Sequence, residues 1–106
     1  MSETTAQILN KLGDYEILET VENALRDLST LNDVGYFTGE VDRDEKGLKI
    51  VLRVAAMVDS AGEEDFKTNE QLKTITAQFP EGPVLFDVVE TVNVSGMEME
   101  VVYRPR

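Results

Sequence analysis

Between Asp14 and Leu31 the chain places Ile17, Val21, Ala24, Leu28 and Leu31 at steps of four, three, four and three. Those steps trace one face of an α-helix, with Glu16, Glu19, Asn23, Arg26 and Asp27 falling mostly on the other. Asp14, directly after Gly13, is the expected N-cap, and Glu22 and Arg26 form a favourably oriented pair four apart. Upstream, Ile8, Leu9 and Leu12 predict a short helix from about Thr4 to Leu12. Gly13 is then either its C-cap or a kink in one longer helix.

The period changes after Val34. Tyr36, Phe37, Thr38 and Val41 predict a strand from Val34 to Asp42. Leu48, Ile50, Leu52, Val54, Ala56 and Val58 then alternate unbroken with Lys49, Val51, Arg53, Ala55, Met57 and Asp59. The second face of this strand turns apolar after Arg53, so its later half is expected to be covered on both sides, at the centre of the sheet. Residues 59 to 65 predict a long polar loop. Thr68 with Gln71 is a capping-box pattern, and Leu72, Ile75 and Phe79 supply an apolar stripe, which together predict a second helix ended by Phe79-Pro80-Glu81-Gly82-Pro83. Val84, Phe86, Val88, Val92 and Val94, interrupted by Glu90, mark one face of a further strand. Met97, Met99, Val101 and Tyr103 alternate with Glu98, Glu100, Val102 and Arg104 in the last one, and Ser95-Gly96 predicts the tight turn between them.

These elements imply an α+β fold: a four-stranded, mainly antiparallel sheet with helices packed on one face, in the order α-β-β-α-β-β. At 106 residues, with no linker-like tract, one domain over 1–106 is expected. The element order is similar to that of many small α+β modules, including several from phage particles and bacterial defence systems, a likeness that implies no particular activity.

Composition narrows the function. There are 21 acidic and 10 basic residues, a formal charge of −11. Such a surface repels phosphate backbones and anionic lipid, so no direct nucleic-acid or membrane binding is expected, and a protein partner, basic in character, is favoured. The longest apolar run, Val54 to Val58, falls far short of the roughly 20 residues of a membrane span. The first residues, MSETTAQ, lack the basic and apolar regions of a signal peptide, and the absence of cysteine suits a reducing compartment, so a cytoplasmic location is expected. With neither His nor Cys, the commonest general base at neutral pH and the thiol nucleophile are missing; no enzyme activity and no cofactor are expected.

Two acidic motifs invite a metal. Asp42-x-Asp44-x-x-Gly47 begins like a calcium loop, but position five is Lys46 and position twelve is Arg53, where oxygen ligands are required. A polar hairpin tip, with Gly47 at positive φ, explains the same residues. Glu63, Glu64 and Asp65, near Asp59, sit on the expected loop, where the rigid octahedral geometry of Mg²⁺ is hard to hold; they fit a solvated, helix-preceding acidic run. Asp87 and Glu90 interrupt an apolar strand three residues apart, on opposite faces if the strand is regular. Met97 and Met99 share a face, and if the last strand lies at a sheet edge its free backbone is open to a partner strand.

The reading that accounts for most of this is a small acidic, non-catalytic interaction or assembly domain, a subunit or adaptor that binds itself or another protein. Its candidate contact residues are Asp42, Asp44 and Glu45 at the hairpin tip, Glu16, Glu19 and Glu22 on the long helix, and Glu63, Glu64 and Asp65. The alternative is an acidic inhibitor, a nucleic-acid mimic or an immunity-like or antitoxin-like protein seated on a basic nuclease or DNA-binding protein. The acids are spread evenly, 11 in residues 1–53 and 10 in 54–106. The hairpin tip and the acidic loop are also expected about 35 Å apart at roughly 3.3 Å per residue, which favours the first reading.

Overall fold

The computed structural model describes residues 4–27, 34–56, 70–95 and 98–106. Three helices are present among them: α1 (Thr5–Asn10), α2 (Asp14–Arg26) and the single-turn α3 (Glu70–Lys73). The strands are β1 (Val34–Asp44), β2 (Gly47–Ala56), β3 (Thr74–Phe79), β4 (Gly82–Ser95) and β5 (Glu98–Pro105). The fold is α+β, with a five-stranded antiparallel sheet in the order β1-β2-β5-β4-β3.

The entry into α2 settles the choice left open at Gly13. Thr4 caps α1 by a capping box, its hydroxyl accepting the Gln7 N–H at 3.2 Å while Gln7 Oε1 accepts the Thr4 N–H at 2.9 Å. α1 ends at Lys11, and Gly13, with extended backbone, is the N-cap of a separate α2. Asp14 is therefore one residue inside the helix rather than its cap, and its carboxylate is committed elsewhere. Ile17, Val21 and Leu25 are fully buried, each worth ~1.5–3 kcal/mol in removed apolar surface, while Leu18 packs partly against the same core. The expected positions Leu28 and Leu31 lie outside the described residues.

The expected second helix is mostly a strand. Only Glu70–Lys73 is helical; Thr74–Phe79 forms β3, with Ile75, Ala77 and Phe79 buried in alternation. Ile75 and Phe79 are four apart, a spacing that suits one helix face and two strand steps equally. The β-branched run Thr74-Ile75-Thr76 and the buried Ala77 between them decide for the strand. Thr68 lies outside the described residues. The Pro-rich stretch after Phe79 is accordingly a hairpin turn. Pro80 and Glu81 span it and Gly82 follows with φ +142°, just as Glu45 and Lys46 span the β1–β2 turn and Gly47 follows with φ +111°. In both, a non-glycine pair at negative φ is closed by the glycine that the left-handed position demands.

β4 departs from a regular strand between Val88 and Glu90, where its register against β5 slips by one residue. Val84 and Phe86 are buried and Val88 is partly so, but beyond the slip Thr91 stands opposite Val101 and Val92 is turned out to 42% exposure. A bulge inserts one unpaired residue and swaps the faces that follow. Asp87 and Glu90, expected on opposite faces, therefore share the face that looks away from the helices.

β5 is the central strand, paired with β2 on one side and β4 on the other, so its backbone is not open to a partner strand. Met99, Val101 and Tyr103 are buried beneath the helices. The Tyr103 hydroxyl donates to the Leu72 carbonyl, tying α3 to the sheet, and burial raises its pKa. Val102 points the other way and is still only 5% exposed, flanked across the strand pair by Val51 and along its own strand by the long side chains of Glu100 and Arg104. The expected double-sided cover of β2 falls in part on residues 57 and 58, outside the described residues.

Candidate protein-interaction surface

The helices occupy one face of the sheet, which leaves the outer face to charged side chains. Thr38, Glu40, Asp42 and Asp44 of β1 stand beside Lys49, Val51 and Arg53 of β2, then Glu98, Glu100, Val102 and Arg104 of β5. The cations of this face are answered from within the chain. Arg104 reaches past Gly47 to Asp44; Lys49 Nζ lies 3.8 Å from Asp44 and 4.0 Å from Asp42; Arg53 lies 3.4 Å from Glu98 and 3.5 Å from Glu100. Arg106 holds Asp87 by two hydrogen bonds of 2.9 and 3.0 Å.

The hairpin tip is a self-contained turn rather than a ligand cup. Asp42 Oδ1 accepts the N–H of Arg43 at 2.8 Å, and Asp44 Oδ1 accepts that of Lys46 at 2.9 Å. The Arg104 guanidinium, helped by that backbone donor, lowers the Asp44 pKa to about 2. Of the three expected contact acids at the tip, Asp44 is thus strongly engaged internally, while Asp42 and Glu45 remain exposed. Among the described residues, no group of three or more acids converges as a metal cage would require.

The α2 acids are on the opposite side of the molecule from this face. Glu16 and Glu19 are exposed, and Glu22 is half-buried with Arg26 at 3.9 Å. Tyr15 stands 77% exposed in the same helix, and its hydrogen bond to Glu19 raises the phenol's pKa. Asp14 leaves this group: its two oxygens bind Arg43 at 2.7 and 3.0 Å, a fork that holds the Asp14 carboxyl below its usual range and fixes the start of α2 over β1. Glu63, Glu64 and Asp65 lie outside the described residues. The structure therefore does not bring the expected acids together in one patch.

Two features escaped the sequence reading. Glu40 is exposed with no described cation within ion-pair distance; its signal was legible, since Glu40, Asp42 and Asp44 recur at the strand period. The other is a cavity of about 420 Å³ at the β4 bulge, lined by Lys73, Thr74, Asp87, Val89, Glu90 and Arg106 among others. There Arg106, and then the Thr74 hydroxyl that donates to Asp87 at 2.6 Å, keep Asp87 ionised below the usual carboxylate range. A carboxylate held so has little use as a proton donor or acceptor near neutral pH. No bulge was foreseen there, although the break in alternation at Val89-Glu90 is its trace in the sequence.

Neither known protein families, nor curated proteins, nor solved structures yield a match to this chain.

Proposed function

We propose that this chain is a small acidic, non-catalytic protein-interaction domain, a subunit or adaptor. One observation carries the reading: every buried side chain among the described residues is non-polar or, for Tyr103, hydrogen-bonded, and the outer-face cations are already paired, which leaves an acid surplus on an uncovered sheet face. What such a surface offers is recognition of a protein with complementary charge. The acidic-inhibitor alternative calls for one contiguous negative surface, and the acids of α2 and β1 lie on opposite layers. No described helix is long and apolar enough to cross a membrane.

The test is affinity capture of the tagged chain from its native host at low and at high salt, with light scattering alongside. A specific partner retained in both washes, or a defined oligomer, is expected. A basic nuclease or DNA-binding protein released by salt would move the assignment to the inhibitor class, and a strictly monomeric chain with no partner would overturn it.

A further inference from the structure

Among the described residues no strand lies beyond β1, so Gly39, Val41 and Arg43, alternating with the residues whose backbone pairs with β2, turn their N–H and C=O outward without a strand partner. Side chains along this edge alternate: Thr38, Glu40, Asp42 and Asp44 on the outer face, Gly39, Val41 and Arg43 on the inner. Arg43, the one cation of the stretch, is turned inward and neutralised by Asp14. Beside Glu40 the outer face dips into a depression of about 220 Å³, lined by Thr38, Gly39, Glu40, Val51, Arg53 and Glu100.

The edge discriminates among strands that could add to it. A second copy of β1 pairing antiparallel would set outer face beside outer face, so Glu40, Asp42 and Asp44 would oppose one another, and like charges directly opposite are destabilising. An uncharged strand would bring polar backbone but leave the carboxylates unanswered. A strand with Lys or Arg at alternate positions gains the backbone ladder and a cross-strand ion pair at each acid, while its intervening apolar residues fall on the inner face beside Val41. The geometry points to β1 as the acceptor for an extended basic segment of another protein, added to the sheet edge with cations opposite Glu40 and Asp42. A lysine or arginine stem opposite Glu40 then lies along the Thr38–Glu40 rim of the depression, its charged head beside Glu40, which no described cation pairs. This names the binding mode of the interaction domain proposed above and rests on that reading.

The experiment titrates the full chain, followed by NMR, with three end-blocked octapeptides. One alternates lysine and valine, one has the same composition with its lysines in a single block, and one is the alternating peptide N-methylated at every second residue. The alternating peptide is expected to bind at least about fivefold tighter than the other two, with shifts centred on residues 38–44, and E40Q/D42N to lose at least about fivefold of that affinity. The variant's amide spectrum shows directly whether it is folded. Equal affinity for the three peptides, no binding by any, or shifts centred on α2 with β1 unmoved would overturn strand addition. The broader reading falls by a different result, a monomeric chain that captures no partner from its host.

Discussion

The two edges of the sheet are protected in different ways. β3 is six residues long, begins directly from α3 and is followed at once by Pro80 in the turn, and its outer-face side chains, Thr74, Thr76 and Gln78, carry no charge. β1 runs for eleven residues and carries a carboxylate at every outer-face position from Glu40 to Asp44. Brevity disfavours any added strand, whatever its sequence; charge disfavours only those of the same sign. A guard made of charge is therefore selective, and an edge that repels its own copy is open to a basic one.

The largest effect is expected from removing what anchors the short edge. Phe79 is 6% exposed and is the last inward residue of β3, so Phe79→Ala should cost about 3–5 kcal/mol in urea unfolding, with amides of β3 losing hydrogen-exchange protection before those of β1. Equal loss at both edges would show that β3 is not held independently. A smaller change should follow from removing the charges of the long edge. E40T/D42T keeps strand-forming residues while deleting two repulsions, and sedimentation velocity should show a larger weight-average coefficient than the parent at equal concentration. An unchanged coefficient would mean that the acids are not what keeps copies apart.

The smallest effect concerns Asp44, whose pKa is lowered in the folded chain. A depressed carboxyl contributes stability that is fully present above its unfolded value of 3.8 and is lost as pH falls through about 2. An NMR titration should place the Asp44 midpoint near 2, and Arg104→Gln should return it toward 3.8. A midpoint unmoved by that substitution would detach the hairpin tip from β5.

How much of this was legible depends on whether a residue's neighbours in sequence are its neighbours in space. The faces of α2, β2 and β5 followed from periods of 3.6 and 2, because each stripe is long enough to allow one interpretation. β3 did not, since Ile75 and Phe79 satisfy both periods and the decision rests on pairing with Phe86 and Gly82 across a turn whose proline-glycine sequence would equally end a helix. The strand count fell one short for that reason, and the placement of β5 at the sheet's centre followed from pairings that no local pattern encodes. For the candidate surface, charge and exposure were visible at Asp42 and Glu45. The internal partners of Asp44 and Asp14 were not, because Arg104 and Arg43 lie 60 and 29 residues away.

The sheet order also has a consequence for how the chain assembles. β1 with β2, and β3 with β4 and β5, are each joined in sequence, and the β1–β2 and β3–β4 turns use a glycine-closed pair that needs no distant contact to form. Among the described strands one seam joins the halves, β2 against β5, where Ile50 meets Tyr103 and Val51 meets Val102, and α2 spans both halves by packing on β1 and β3. Loop-closure entropy weighs most on that long-range pairing, which is therefore expected to be the slow step of folding. Truncation at Val101 should accordingly slow refolding in a stopped-flow experiment more than truncation at Val84, and equal slowing would place the barrier elsewhere. On that expectation, the inward sides of β2 and β5 stay exposed together until the seam closes, and the common core is the last thing the two halves acquire.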